Sequence, residues 1–178
     1  ANPVSLYRNN LIEPLFLATN IEGLTSDGQN LYAVEDKKTG GRLLKYDSSS
    51  GNLTALRDNL EEAEGIVVCP DGSLFYTEKE RGWIKKYHPG SKENDKTVAT
   101  ALREPSFLMC NEEGIWITED RTHLARLLLL NNDGHLETIL SHLRSPQTII
   151  PLSPTAFLLA EQGRGRILTL TRSAHAKK

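Results

Sequence analysis

Glutamates recur along this chain at nearly constant intervals, and regularly spaced carboxylates are groups that can bind a cation or transfer a proton. Two of them, Glu22 and Glu64, each precede a glycine at the start of an apolar run. A second set closes four similar segments at intervals of 43, 41 and 42 residues: Glu35, Glu78, Glu119 and Glu161. Carboxylates about 8 Å apart repel by about 2 kcal/mol per pair at an effective dielectric of ~20, so some group must offset their charge.

Four kinds of group could offset this charge: solvent, nearby arginines, a shared proton or a bound cation. All six glutamates offer hard oxygen ligands, so the cation that we predict is Ca²⁺. The structural alternative for the closing set is that each carboxylate accepts backbone N–H groups or pairs with an arginine such as Arg81, Arg121 or Arg164.

Proton transfer is the second chemistry that these residue types support. Glu22 and Glu64 are the predicted catalytic carboxylates, since a buried carboxyl group can act as a general acid near neutral pH. His142 and His123 are the predicted proton-transfer partners, because imidazole gains and loses its proton in this range. The alternative for both histidines is a solvated position in a loop.

An internal repeat supplies the elements that must position these residues. Each copy has an apolar run, a polar turn, a second apolar run and a closing glutamate. The copies are IEGLTSDGQNLYAVED from Ile21, AEGIVVCPDGSLFYTEK from Ala63, PSFLMCNEEGIWITED from Pro105 and PQTIIPLSPTAFLLAEQ from Pro146. Short apolar runs bounded by turn residues predict antiparallel strands joined by hairpins. Four such strands in about 41 residues are typical of a β-propeller blade.

The ends of the chain predict how the propeller closes. The fourth repeat supplies three strands, and Leu11 lies 12 residues before Gly23, as Leu53 lies 12 residues before Gly65. We therefore predict a single all-β domain, residues 1–178: a four-bladed β-propeller whose fourth blade is closed by the N-terminal strand, residues 11–17. The alternative is a half-ring that pairs with a second copy as an eight-bladed dimer.

The repeat also predicts which face of the propeller carries function. Because neighbouring strands are antiparallel, the closing glutamates share a face with the two glutamates that open the first repeats. The loops holding His123 and His142 fall on this face as well. The opposite face receives tight turns such as Pro70-Asp71-Gly72, whose composition is explained by hairpin geometry alone.

Composition excludes several classes of protein. Lys and Arg number 21 against 23 Asp and Glu, and a net charge of −2 gives no field to attract nucleic acid. The longest apolar stretches, such as Leu127 to Leu130, are far shorter than the ~18 residues of a membrane-spanning helix. We expect a soluble monomer, or a homodimer, without nucleic-acid or membrane partners. No signal peptide is present in the sequence, so we expect the cytoplasm, or secretion if the N-terminus is a processed one.

The cysteines and tryptophans are expected to serve packing. Cys69 and Cys110 fall at matching positions of adjacent repeats, and equivalent strands of neighbouring blades rarely approach within disulfide distance. We therefore predict that they pack as small apolar side chains. Trp83 and Trp116 are predicted to pack between or within blades.

The phrases EGLTSDGQNLYAVED, EGIVVCPDGSLFYTE and GWIKKYHPGS resemble the repeats of SMP-30/gluconolactonase and strictosidine synthase-like propellers, which grade into NHL repeats. The resemblance implies a small-molecule substrate at the channel mouth. In the gluconolactonase branch it also implies a divalent metal held by a Glu-Gly step, an Asn-Gly step and an Asp. Glu22 with Gly23 matches the first step, Glu64 stands in place of the Asn, and no residue matches the Asp. Members of the group usually have six blades, whereas four repeats are present here.

Two functions from different classes follow. The first is a small-molecule enzyme at the acidic mouth, either a metal-dependent hydrolase of lactonase type or a lyase or cyclase that uses a carboxylate as acid and base. The second is a non-catalytic propeller that binds a ligand or a protein on one face.

Overall fold

The computed structural model describes residues 2–172, most of which lie in strands. In chain order the strands are β1 (Asn2–Arg8), β2 (Leu11–Ala18), β3 (Ile21–Ser26), β4 (Asn30–Glu35), β5 (Gly41–Asp47), β6 (Leu53–Leu60), β7 (Ile66–Val68), β8 (Leu74–Glu78), β9 (Trp83–Lys86), β10 (Lys96–Ala99), β11 (Pro105–Asn111), β12 (Gly114–Glu119), β13 (Ala125–Asn131), β14 (Leu136–Leu143), β15 (Pro146–Ser153), β16 (Ala156–Glu161) and β17 (Arg166–Thr171). Two single-turn 3₁₀ helices occupy Lys92–Asn94 and Gln162–Arg164. No helix in residues 2–172 is long and apolar enough to cross a membrane.

Each repeat folds into one antiparallel sheet whose strands follow sequence order from the inside outward. The first three sheets, β3–β6, β7–β10 and β11–β14, have four strands, and the fourth, β15–β17, has three. Their inner strands contact one another in the order β3, β7, β11, β15, so the sheets stand side by side as blades. The all-β fold and the arrangement of the four repeats as propeller blades are confirmed.

Two glycines allow adjacent inner strands to approach closely. A Cβ atom on Gly23 would collide with the carbonyl oxygen of Glu64, and a Cβ atom on Gly65 would collide with the carbonyl oxygen of Ser106. Only glycine fits at such a contact. The Glu-Gly step at the start of the first two repeats therefore has a packing reason, independent of any chemistry.

Residues 11–17 do not complete the fourth blade, and this expectation is wrong. They lie in β2, which pairs with β1 in a separate two-stranded sheet, and β17 ends the fourth blade without them. The physical reason is a hairpin: Asn9 and Asn10 both have positive φ, 52° and 61°, as a two-residue turn between antiparallel strands requires. Phe16 stacks on Tyr46 with ring centroids 5.2 Å apart, so this hairpin packs against the first blade.

The inner strands at the two ends of the blade series leave apolar side chains exposed. Leu24 on β3 is 52% exposed, and Ile150 and Leu152 on β15 are 46% and 56% exposed. Within residues 2–172, β3 and β15 share no extensive contact. The eight-bladed dimer stays a prediction.

The core consists of apolar clusters between neighbouring blades. Between the third and fourth blades, Trp116 packs on Phe157 with ring centroids 4.8 Å apart, and both rings are buried. Trp116 thus packs between blades as predicted. Trp83 lies partly exposed instead, with the cationic groups of Arg81 and Lys85 each 5.1 Å from its ring.

Cys69 and Cys110 form a disulfide, so the expectation that they pack as separate apolar side chains is wrong. The two Cα atoms are 5.2 Å apart, within disulfide reach. Cys69 follows β7, and Cys110 lies in β11. Equivalent residues of these strands meet because inner strands converge at the propeller axis, as the contact of Gly65 with Ser106 also shows. The disulfide joins the second blade to the third.

Candidate functional site

The four closing glutamates are buried, and three of them are held by hydrogen bonds from arginines. Arg42 donates to Glu35 through Nη2, 2.7 Å from Oε1, and through Nε, 2.8 Å from Oε2. The backbone N–H of Thr19 donates to the same carboxylate. Burial would raise the pKa of Glu35, but the hydrogen bonds from Arg42, Thr19 and Lys37 outweigh it and lower the pKa to about 2.

The third and fourth blades repeat this arrangement. Glu119 accepts hydrogen bonds from the Arg126 guanidinium and from the backbone N–H of Arg103. Glu161 accepts them from Arg166, Arg164 and the backbone N–H of Arg144, and these groups together hold its pKa below the ordinary value despite burial. Each of these carboxylates therefore ties a strand end to the loop that enters its own blade. This arrangement supports the structural alternative for the closing set.

Glu78 in the second blade is the exception. Seven residues after it stands Lys85, where Arg42 and Arg126 follow Glu35 and Glu119, and the Lys85 ammonium lies over Trp83 instead. Glu78 Oε1 is 3.3 Å from Lys92 Nζ, and its buried Oε2 has no partner within residues 2–172. Because Lys85 replaces the arginine at this position, Glu78 has a weaker ion pair than Glu35 and Glu119.

A repeated backbone hydrogen bond shapes the end of the blades at which the closing glutamates lie, which we call the mouth. The residue after each closing glutamate donates its N–H to a carbonyl in the loop that enters the same blade, at 2.9 to 3.1 Å. Each accepting residue, Asn20, Glu62, Glu104 and Ser145, has a positive φ between 41° and 54°. The four donors are Asp36, Lys79, Asp120 and Gln162.

Lys79 is the centre of a polar cluster at this mouth. Its Nζ lies 2.7 Å from Glu64 Oε1 and 3.3 Å from Asp120 Oδ2. Gln147 donates from Nε2 to Asp120 Oδ1 at 2.8 Å. Three blades therefore contribute to one network, which we call the mouth cluster: Glu64, Lys79, Asp120 and Gln147.

The ion pair at the centre of the mouth cluster is largely desolvated. The side chains of Lys79 and Glu64 are 14% and 10% exposed. Burial raises the pKa of the Glu64 carboxyl above its ordinary value, although Lys79 and Ser106 oppose this. Burial alone would lower the pKa of Lys79, but Glu64 and Asp120 outweigh it and raise the pKa. Burial thus makes Glu64 take up a proton at a higher pH than a free glutamate, so the pKa of this carboxyl lies above its ordinary value.

The other predicted catalytic residues are not joined to this cluster. Glu22 is exposed and forms no hydrogen bond or salt bridge among the described residues. His142 is exposed at the end of strand β14 rather than in a loop, with Nδ1 2.9 Å from the Ser141 hydroxyl. His123 is exposed in the loop before β13, as expected. Catalytic roles for these three residues stay predictions.

The six predicted metal ligands, Glu22, Glu64, Glu35, Glu78, Glu119 and Glu161, do not form one site. Within residues 2–172 no three His, Cys, Asp or Glu side chains converge in an arrangement that could hold a metal ion. At the mouth, the Lys79 ammonium occupies the place beside Glu64 that a cation would take. The residues present therefore do not fit the predicted Ca²⁺ ion.

Sequence reasoning missed Lys79 and Gln147 as parts of the site. Lys79 directly follows a closing glutamate, and a comparison of the four residues at that position would have shown two carboxylates, one lysine and one glutamine. Gln147 stands where the first two repeats have glycine. The positions at which the aligned repeats differ therefore indicate these two residues as parts of the site.

Comparisons with known structures support the fold. A gluconolactonase of Xanthomonas campestris superposes with a TM-score of 0.72 and 18% identity, over 89% of this chain and 60% of that one. A candidate gluconolactonase gives 0.71 and 11%, over 95% and 67%. A chain of the nidogen/laminin complex gives 0.68 and 14%, over 93% and 72%.

The likeness to these proteins concerns the fold alone, and at that level it confirms the resemblance to gluconolactonase-type propellers. This chain spans less than two thirds of the length of the Xanthomonas protein. It spans about half of an auxiliary nutrient binding protein from Bacteroides ovatus, with a TM-score of 0.71. No family model and no curated protein matches the sequence.

Proposed function

We propose that this protein is a lactonase-like hydrolase whose chemistry takes place at the mouth cluster. The observation that carries the proposal is the position of Lys79. Its ammonium lies between Glu64 and Asp120 at the mouth and contacts both carboxylates. An ammonium has three N–H donors, and these two acceptors leave one for a substrate oxygen.

Hydrolysis of a cyclic ester needs a base for water and a positive charge for the carbonyl oxygen. Glu64 takes a proton from water as the water oxygen attacks the carbonyl carbon. Lys79 stabilises the negative charge that develops on the carbonyl oxygen, while Asp120 and Gln147 hold Lys79 in position. The ring C–O bond then breaks, and the leaving oxygen receives the proton from Glu64 to give a hydroxy acid.

The burial of the pair supports these roles. A carboxyl group whose pKa lies above its ordinary value is a stronger base toward water, and its protonated form, which must later donate the proton, persists to a higher pH. An ammonium shielded from water interacts more strongly with a developing oxyanion than an exposed one.

Calcium, the cation expected from the sequence, does not enter these steps. The steps need only the chain's own residues, because Lys79 supplies the positive charge at the cluster. Thermal denaturation with and without millimolar Ca²⁺ tests the expectation separately, since a cation that binds the folded state alone raises the melting temperature.

Titration of acid release from glucono-1,5-lactone, simpler lactones and aryl esters tests the proposal. The expected result is turnover that Lys79→Met lowers by about 100-fold in kcat/KM, the loss typical of one oxyanion donor. Lys38→Met is the matched control, because Lys38 is an exposed lysine in a loop on the same face and should leave turnover unchanged. Turnover of no substrate, or equal loss in both variants, contradicts the proposal.

The second candidate, a non-catalytic binding module, is favoured by one observation: a cavity of about 690 Å³ opens on the opposite face, away from the mouth cluster. A binding module would bind a lactone or sugar acid saturably without converting it. Calorimetric titration beside the turnover assay separates the two candidates.

A further inference from the structure

A cavity of about 690 Å³ opens between the second and third blades, on the face that carries the tight turns. Pockets for small organic ligands usually measure about 300 to 1,000 Å³. The lining includes the buried side chains of Phe75, Ile115 and Leu130, which lie at the open end of the apolar cluster between these blades. The disulfide between Cys69 and Cys110 joins the two walls. The cavity therefore has an apolar surface, and its two walls are linked covalently.

Two lysines stand side by side on one wall of this cavity. Lys86 on β9 and Lys96 on β10 are register partners in the antiparallel ladder, so their side chains project from the same face of the sheet. Both line the cavity, and neither forms a salt bridge within residues 2–172; the Lys86 ammonium lies 5.6 Å from the centroid of the Phe75 ring. Like charges directly opposite each other destabilise a sheet, and an anion between them would remove that cost.

Two carboxylates line the same cavity as these lysines. Asp71 is used by its own turn, where Oδ1 accepts the Ser73 N–H and Oδ2 accepts the Ser73 hydroxyl, each at 2.9 Å. These bonds hold the pKa of Asp71 below its ordinary value, and Lys86 contributes a smaller part. Glu112 lies exposed on the opposite wall. The histidine of the lining, His88, has its Nδ1 3.2 Å from the Lys86 carbonyl oxygen.

We propose that this cavity binds an amphipathic organic anion. A flat or aliphatic body packs against Phe75, Ile115 and Leu130, and a carboxylate or sulfonate group lies between the Lys86 and Lys96 ammonium groups. The site is separate from the mouth cluster, because the cavity is lined by the β7–β8, β9–β10, β11–β12 and β13–β14 turns. These turns lie at the opposite end of the strands from the β8–β9 and β12–β13 turns that hold Lys79 and Asp120.

Isothermal titration with 2-naphthoate, and with the neutral 2-naphthylmethanol as its matched isostere, tests the proposal on the intact chain. The expected result is saturable binding of one naphthoate per chain at concentrations below about 5 mM, with at least about tenfold weaker binding of the alcohol. Lys96→Met and the double variant K86M/K96M should weaken naphthoate binding by about tenfold or more, since a methionine keeps the stem and removes the charge.

Lys85→Met is the control, because Lys85 lies on the same strand but faces the other side of the sheet, over Trp83. It should change naphthoate affinity by less than about twofold. Lys96 is the decisive position, since Lys86 also lines a smaller recess of about 440 Å³ beside the first blade and Lys96 does not. Absence of saturable binding, equal affinity for the alcohol, or loss in K85M as large as in K96M overturns the proposal. A melting temperature of K96M within about 2 °C of wild type shows that the affinity change is not a loss of fold.

Discussion

The ammonium of Lys79 lies 2.7 Å from Glu64 Oε1, and this pair connects the end of one strand to the start of another within the second blade. Lys79 also reaches Asp120 of the third blade at 3.3 Å. A single lysine therefore offsets carboxylates from two blades, in a position where the sequence alone predicted a bound cation.

Removal of Lys79 should destabilise the fold as well as lower turnover. Lys79→Met leaves Glu64 largely buried without its counter-charge, which we expect to cost about 3 kcal/mol of unfolding free energy. The double variant E64Q/K79M should recover part of that loss, because the uncompensated charge is gone. Urea denaturation of the four members of this cycle measures the coupling. Additive losses in the double variant would show that the pair has no energetic coupling.

A buried ion pair links the first two blades, and we predict that breaking it is costly. Arg57 on β6 donates to both oxygens of Asp95, at 2.6 and 2.8 Å, and stacks over Tyr87. Tyr76 donates its hydroxyl to the same carboxylate. Asp95→Asn should lower the unfolding free energy by about 3 to 5 kcal/mol, since Arg57 is left buried without its counter-charge.

The control for Asp95→Asn is Asp133→Asn, because Asp133 is exposed in a turn and forms no salt bridge within the described residues. Urea denaturation of both variants gives the comparison. Equal stability of the two would mean that the Arg57–Asp95 pair does not hold the blades together.

The acid stability of the protein should depend on Glu35. Its pKa is lowered to about 2 in the fold from an ordinary value of 4.5, so its ionised form stabilises the fold above about pH 4.5. That contribution, about 3 kcal/mol, is lost as the pH falls from 4.5 toward 2. The difference in unfolding free energy between wild type and Glu35→Gln should therefore be largest near neutral pH and shrink with acid. A difference that stays constant down to pH 2.5 would contradict this assignment.

Reduction of the disulfide should loosen the contact between the second and third blades. Cys69 and Cys110 are separated by 41 positions in the sequence. In the chain-entropy model, a disulfide that closes a loop of this length stabilises the fold by about 4 kcal/mol. A strong reductant should lower the melting temperature of wild type, whereas C69A/C110A should melt at the lower temperature with or without it. Two titratable thiols in the unreduced, unfolded protein would show that the bond is absent.

The repeat predicted the blades well because the strands and turns of a blade are determined by short stretches of sequence. The polar turn that ends at Asn30 and the glycines at 23 and 65 recur wherever strands must reverse or approach closely. Closure could not be predicted in the same way. Asn9-Asn10 is as strong a turn signal as many others, and whether β2 pairs with β1 or with β17 is decided by contacts between distant parts of the chain.

The candidate site was predicted in part. The position of Glu64 at the mouth followed from its place in the repeat, but its partner did not, because Lys79 departs from the acidic residues at the same position of the first and third repeats. The burial of the closing glutamates could not be predicted from the sequence either. Arg42, Arg126 and Arg166 follow these glutamates by seven, seven and five residues, and only the paired strands bring them together.

The kcat/KM of lactone hydrolysis as a function of pH, measured for wild type and Glu64→Gln, tests whether Glu64 is the base that activates water. Glu137→Gln is the matched control, an exposed glutamate on the outer strand of the third blade. We predict that wild-type kcat/KM falls in acid with an apparent pKa above 4.5, that E64Q loses at least about 100-fold at neutral pH, and that E137Q matches wild type. An E64Q protein that stays folded and retains wild-type kcat/KM across the pH range would contradict the assignment of Glu64 as the base.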